Sequence, residues 1–264
     1  MDDGLDYRVD GLLYCHKCNT PKQFRIEHNG EIFTPYCACE CEKARIEEEE
    51  KARKEQDHKF KVDRLREFAF HDVCEGSSKW STFEQDDMEN PRLSNISKNY
   101  ADNFEEMWRR GKGLMLYGPV GTGKTFSALC IANAIVDKGY SCYVTNFASI
   151  TTKLSAMWEQ KQEFLDRINN VALLVIDDFA AERDTQYMNE VIYNIIDARY
   201  QSGRPIIVTT NLTADELKHA SDMRKQRIYS RLLEMCVPVF VDGEDRRKKK
   251  AKNDYDGLKD ILGL

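Results

Sequence analysis

The 264-residue sequence has no apolar run approaching the ~18 residues that a membrane-spanning helix needs. Its opening, MDDGLDYRVD, lacks the apolar stretch of a secretory signal. Together these absences set the expectation of a soluble, cytoplasmic protein with no membrane partner. No strong charge of one sign is present either. The formal net charge of −6 is too mildly acidic for a general nucleic-acid coat, although a local basic patch can still meet phosphates. No internal repeat is found, and no heptad is sustained in the charged stretch after residue 42, which excludes a coiled coil there. What the sequence does have is 41% hydrophobic and 10% aromatic residues, enough for a sizeable core, beside a charged fraction of 32% that points to a solvated segment. The length suits one large domain, or a medium one with a small appendage.

Five of the nine cysteines, Cys15, Cys18, Cys37, Cys39 and Cys41, crowd into one N-terminal stretch, which in a cytosolic chain reads as metal binding rather than disulfides. Cys74, Cys130, Cys142 and Cys236 are scattered and read as small buried hydrophobes. The spacing CHKC, eighteen residues, then CACEC fits a zinc ribbon, in which Zn²⁺ takes four thiolates in a tetrahedron. Cys15 and Cys18 belong to either completion, Cys37 with Cys39 or Cys39 with Cys41, and His16 is a weaker ligand. A hairpin is expected across His28, Asn29 and Gly30, between apolar stretches near Phe24–Ile26 and Glu31–Phe33. The module is taken as residues 1–42. Residues 43–79 follow as a charged helical linker; the stretch from Glu42 to about Asp63 is rich in helix formers and nearly lacks an apolar face between Ile46 and Phe60.

From residue 80 to 264 short β-rich runs alternate with helical stretches, which predicts an α/β fold, a doubly wound parallel five-stranded sheet. The strands are expected at 114–117, 142–145, 173–177, 206–210 and 237–241, with helices at 124–138, 148–166, 186–201, 213–219 and 224–235. Immediately after the first strand stands GPVGTGKT, residues 118–125, a full match to G-x-x-x-x-G-K-[ST] leading into a helix. Nucleotide phosphates are therefore expected on Gly118, Pro119, Val120, Gly121, Thr122, Gly123, Lys124, Thr125 and Phe126. Backbone N–H groups cradle the oxygens, Lys124 reaches the β and γ phosphates, and the Thr125 hydroxyl meets Mg²⁺.

LLVIDD ends the third expected strand, so Asp177 emerges at the same sheet edge and can hold Mg²⁺. Asp178 stands next in line to direct the attacking water, one methylene shorter than the glutamate common at this place. Asn211, ending VTTN, is placed to sense the γ phosphate, and no G-protein base motif of the NKxD kind is present. On the last expected helix, Arg227 and Arg231 share a face at i,i+4, and one of them is read as an arginine finger for a neighbouring subunit.

YGPVGTGKT, LLVIDDFAAERD, VTTNLT and RIYSRLLEMC together resemble the DnaC/DnaI-type helicase loaders, AAA+ ATPases of bacteria and their phages, over about residues 80–247. The chain is also similar to IstB-type transposition ATPases. The resemblance implies ATP and ADP as ligands with Mg²⁺, self-association into an AAA+ oligomer, and single-stranded DNA as a partner. It assigns Mg²⁺ to Asp177, water activation to Asp178, sensing to Asn211 and the trans arginine to Arg227 or Arg231. Glu182 fits the relatives' D-D-x-G-A-E pattern, whereas Ala180 replaces their glycine. Arg246 and Arg247 stand near where some relatives carry a nucleotide-facing arginine, or else belong to a solvated basic tail. FASITTKLSAMWEQ, residues 147–160, occupies the place of a DNA-tracking helix, with Thr151, Thr152 and Lys153 as candidate contacts, or else Ile150, Leu154, Met157 and Trp158 packing on the sheet. An N-terminal zinc module in DnaI-type loaders implies a replicative DnaB-type helicase as partner. The implied function is an ATP-dependent helicase loader; the alternatives are an IstB-like transposition helper and a nucleotide-binding adaptor without turnover.

Overall fold

The computed structural model describes residues 5–73, 80–181, 185–219 and 222–262. Cys74 and Glu182 lie outside the described residues. The chain divides into two units, residues 1–60 and 61–264.

The first unit holds two small antiparallel hairpins, β1 (Tyr7–Val9) with β2 (Leu12–Tyr14) and β3 (Ile26–His28) with β4 (Glu31–Phe33). Each turns on a pair with positive φ, Asp10-Gly11 at 49° and 80° and Asn29-Gly30 at 54° and 80°, as a two-residue type I′ turn requires. The second hairpin matches expectation. The first was not anticipated, although its Asp-Gly pair is the same signal. Helix α1 (Glu40–Ala69) then starts where the Cys39 carbonyl accepts the Lys43 N–H. No residue of α1 is buried before Val62. Val62, Ala69 and Phe70 are buried in the core of the second unit. The solvated stretch expected from Glu42 to about Asp63 thus ends where buried residues resume, at Val62.

The second unit continues through α2 (Pro91–Asp102), α3 (Phe104–Arg109), β5 (Gly113–Tyr117), α4 (Lys124–Asp137), β6 (Cys142–Thr145), α5 (Phe147–Ala156) and α6 (Lys161–Asn169). It then runs through β7 (Leu173–Phe179), α7 (Gln186–Ser202), β8 (Ile206–Thr210), α8 (Ala214–Lys218), α9 (Met223–Met235), β9 (Cys236–Phe240) and α10 (Arg246–Leu262). The five strands form one parallel sheet in the order β6-β7-β8-β5-β9. Period-two alternation splits its side chains between two buried faces. Met115, Leu174, Ile176, Ile206 and Val208 pack with α5, α6, α7 and α9. Leu114, Leu116, Leu173, Val175 and Ile207 pack with α2, α4 and the end of α1. Cys130, Cys142 and Cys236 are buried.

One helix expected over 148–166 is two. The helix breaks at Met157, which is extended, and Ile150 and Leu154 before the break and Phe164 and Ile168 after it all reach the core. Trp158, a candidate for packing, is instead 93% exposed in that break. The loop that follows is held by the buried Arg199 of α7, whose guanidinium donates to the carbonyls of Asn169 (2.9 Å), Val171 (2.8 Å) and Pro205.

Strand β7 is irregular where it matters. Ile176 pairs with Val208 and Phe179 with Thr210, so Asp177 and Asp178 bulge opposite the single residue Thr209. The kink puts two non-glycine residues in the left-handed region, Asp178 at φ 51° and Ala180 at φ 69°. An alanine there is strained by its Cβ, whereas glycine is not. Ala180→Gly should therefore raise stability by roughly 0.5–1 kcal/mol, net of the greater chain entropy of glycine. The expected signature is a higher urea midpoint at unchanged slope; a lower midpoint would show that the turn is unstrained.

Candidate functional site

The turn after β5 is built on backbone that a side chain would obstruct. A Cβ on Gly118 would lie 2.3 Å from the Val241 carbonyl oxygen, and one on Gly121 2.0 Å from Asp245 Oδ1. Gly118, Gly121 and Gly123 all have positive φ. The turn empties into the N-terminus of α4, whose free N–H groups and dipole favour an anion. Lys124 is buried, and its Nζ donates to the carbonyls of Gly118 (2.8 Å) and Pro119 (2.6 Å). Burial holds its pKa below the usual lysine value, against the pull of Asp178 and Asp177.

A cavity of about 370 Å³ opens over this turn. It is lined by Val120 to Phe126, and Asp178, Asn211, Arg246 and Arg247 converge on it. Asp177 stands behind. Its Oδ1 accepts from Thr125 Oγ1 at 2.8 Å and from Thr209 Oγ1 at 2.6 Å. Burial raises the Asp177 pKa despite both hydroxyls. The Thr209 hydroxyl also accepts the Asp178 N–H at 2.9 Å, so one buried threonine holds both acids. Thr209 was not singled out from the sequence; the signal available was two polar threonines ending an otherwise apolar strand, IIVTT.

Arg246 and Arg247 are brought to the cavity by α10. The Arg246 N–H donates to the Gly121 carbonyl at 3.0 Å, and its guanidinium pairs with Asp87 (3.1 Å) and Glu89 (3.4 Å) on the segment before α2. Arg227 and Arg231 lie elsewhere, on α9, and their surroundings differ. Arg231 pairs with Asp197 at 2.6 Å and lies 5.0 Å from the Tyr193 ring and 5.5 Å from the Tyr200 ring. Arg227 is exposed, and no ion pair to it is found among the described residues. The candidate DNA contacts on α5 are engaged internally. The hydroxyls of Thr151 and Thr152 bond to the Phe147 and Ala148 carbonyls, and Lys153 pairs with the buried Asp72.

In the first unit, the sulfur atoms of Cys15, Cys18, Cys39 and Cys41 all lie within 4.8 Å of one another, with Cys15 to Cys41 at 3.5 Å and Cys39 to Cys41 at 3.3 Å. Four sulfurs 2.3 Å from one ion stand about 3.8 Å apart, so the donor set fits a tetrahedral thiolate-loving cation. Cys37 is outside the set and its Sγ faces the Pro21 carbonyl at 3.5 Å; the C-x-C pair that joins the group is Cys39 with Cys41. The reason is local: Cys39 and Cys41 bracket the start of α1, whereas the Cys37 N–H is held to the Lys22 carbonyl. His16 is turned to Asp6 at 3.1 Å, and Asp6, which also pairs with Lys22 at 2.6 Å, has its pKa lowered to about 2. Thr20 beside Cys18 lowers that thiol to about 5, while hydrogen bonds to neighbouring sulfurs push Cys41 up to about 12.

Known proteins resemble parts of the chain. A family model described as IstB-like ATP binding protein matches residues 81–254. The replicative helicase loader DnaI of Bacillus subtilis is 30% identical over 182 residues, 63% of this chain and 58% of that protein. The replicative helicase loader DnaC of Escherichia coli is 26% identical over 143 residues, 52% of this chain and 57% of that protein. The chain thus spans under two thirds of the length of these relatives. A crystal structure of the DnaC helicase loader superposes with a TM-score of 0.55 at 24% identity, covering 62% of this chain and 98% of that one, which shows the shared fold. Among the described residues, no helix is long and apolar enough to cross a membrane.

Two outcomes follow from the geometry. Asp177→Asn keeps an oxygen for both threonine hydroxyls and removes a buried charge, so the ligand-free protein should melt a few degrees higher at neutral pH. Because the folded-state pKa is raised, the gain is complete above it and shrinks as pH falls toward the ordinary carboxylate range. A lower melting temperature at pH 7 would contradict the assigned burial. In the cysteine group, Cys41→Ser should lose bound metal, measured by elemental analysis of the purified protein, while Cys37→Ser should retain it in full.

Proposed function

The chain belongs to the IstB-like ATP-binding family, and from that premise we propose that it is an ATP-dependent loader of a DnaB-type replicative helicase, a slow AAA+ switch rather than a motor. The observation that carries the reading is the convergence of Lys124, Asp178, Asn211 and Arg246 on one cavity, with Asp177 and Thr125 adjoining behind it. That set supports hydrolysis of ATP to ADP and phosphate. Relatives named as helicase loaders supply the partner class.

In this reading Lys124 leaves the Gly118 and Pro119 carbonyls for the β and γ phosphates, and Gly121 to Thr125 present N–H groups to the remaining oxygens. Thr125 Oγ1 and Asp177 Oδ1, 2.8 Å apart, fit one face of a hard cation's oxygen shell. Mg²⁺ bound there would neutralise charge building on the phosphates. Asp178 takes the proton of the attacking water, and Asn211 orients that water or the γ phosphate. The short Asp178 side chain supports slow turnover, because misplacement by about 1 Å can cost a hundredfold.

Arg231 is engaged within its own chain, so Arg227 is the better trans-acting finger for an adjacent copy in an AAA+ oligomer. The four thiols of Cys15, Cys18, Cys39 and Cys41 suit Zn²⁺, and the unit they hold together would dock the helicase while the ATPase unit takes single-stranded DNA. A transposition helper is the second reading, favoured by the family model's description; it requires double-stranded DNA and a transposase in place of the helicase.

Lys124→Ala should abolish nucleotide binding and turnover. Arg227→Ala should bind nucleotide normally and lose turnover a hundredfold or more, with partial recovery on mixing with Lys124→Ala, whose intact Arg227 completes the other's site. Arg231→Ala should instead lower the melting temperature. Absence of ATP turnover with single-stranded DNA and helicase present would overturn the ATPase reading. Failure of the full chain to co-purify with any replicative helicase would overturn the loader.

A further inference from the structure

We infer that Thr209 is a positioning residue for phosphoryl transfer: its single hydroxyl sets the aim of both Asp177 and Asp178. The inference rests on the ATPase reading of the same site.

The bulge in β7 gives such a group its place. With Ile176 on Val208 and Phe179 on Thr210, the Asp178 N–H lies in the stretch where the regular ladder is interrupted. An N–H taken out of the ladder needs another partner, and here a side chain supplies one. Thr209 Oγ1 does so at 2.9 Å. Having accepted there, the hydroxyl has one proton to give, and it goes to Asp177 Oδ1 at 2.6 Å. The group's one proton and one of its lone pairs are thereby used, one on each acid.

Packing alone does not account for the residue. Thr209 is wholly buried after Ile206, Ile207 and Val208, where valine would fill the same volume without burying a hydroxyl. The next two residues extend the pattern. Thr210 Oγ1 donates to the Phe179 carbonyl at 2.8 Å and closes the far end of the bulge, and Asn211 lines the cavity. Thr209 and Thr210, which end β8, and Asn211 just after them thus address the acids, the bulge and the cavity.

The test compares Thr209→Val and Thr209→Ser in the full-length protein. Affinity for a fluorescent ATP analogue is titrated with and without Mg²⁺, and kcat is measured separately from KM in the presence of single-stranded DNA. For the valine variant we expect Mg²⁺-free affinity within twofold of wild type, a Mg²⁺ requirement raised severalfold, and kcat lower by roughly tenfold to a hundredfold. Serine keeps the hydroxyl and should return kcat to within about threefold of wild type. Unchanged kcat and Mg²⁺ dependence in Thr209→Val would overturn the inference. Equal loss in the serine variant would do the same, as would loss of Mg²⁺-free nucleotide binding, since that marks a structural role alone. Were wild type itself to show no turnover, the ATPase reading would fall, and the Mg²⁺ titration would still decide for or against Thr209.

Discussion

The second unit turns on one carboxylate oxygen. Asp177 Oδ1 accepts from Thr125 on α4 and from Thr209 on β8, so a single atom joins the helix that follows the phosphate turn, the strand that carries the acids and the strand that ends in Asn211. Alternation along β7 puts Asp177 on the α4 face with Leu173 and Val175, in line with Thr209 of β8, and the bulge that begins there leaves Asp178 at the cavity. Sheet order matters too: β8 lies between β7 and β5, and the Gly118 N–H donates to the Thr210 carbonyl at 3.3 Å. The turn and the acids are thus referenced to the same strand end.

Such an arrangement is unfavourable taken alone. It buries the Lys124 ammonium against two carbonyls, keeps an ionised Asp177 partly out of water and holds Asp178 and Ala180 at positive φ. Each works against folding. The offset comes from the sheet behind, whose two faces are buried along β5, β7 and β8. A polyphosphate and a cation would relieve the same groups that the fold strains, since Lys124 would gain anions and Asp177 a counter-charge. The groups least content in the ligand-free protein are those with most to gain from a nucleotide. This ties affinity to local instability rather than to added contacts.

Much of this was legible in the sequence, for identifiable reasons. The five strands follow from buried apolar runs bounded by turns, and the phosphate turn follows from glycines whose positive φ no other residue tolerates at that close approach. The bulge was not legible, because Asp177 and Asp178 look alike as consecutive letters and only the skipped pairing with Thr209 separates them. Arg227 and Arg231 were equally indistinct: the difference lies in Tyr193, Asp197 and Tyr200, which come from α7. The break between α5 and α6 was hidden for a similar reason, since Met157 and Trp158 continue the apolar spacing although Met157 packs at the core's edge and Trp158 is exposed. Local pattern reveals which groups exist. Partners distant in sequence decide what those groups face.

The first unit follows a different logic. Among its described residues only Cys15 and Cys39 are buried, and both belong to the four-sulfur group. Two three-residue hairpins with exposed Ile26, Ile32 and Phe33 have no apolar interior to close around. Isolated hairpins of that size are marginal in water. The sulfur group therefore takes the place of a core, and a cation bound there contributes folding free energy as well as a fixed geometry. Cys41 rather than Cys37 completes the set because it lies in the first turn of α1, so the same coordination that joins the two knuckles also fixes the start of the helix. Cys37 lacks that leverage, being held by its own backbone to Lys22. With zinc in this place, the exposed apolar residues of β3 and β4 form a defined surface. With the sulfurs unbound, that surface has no apolar interior behind it.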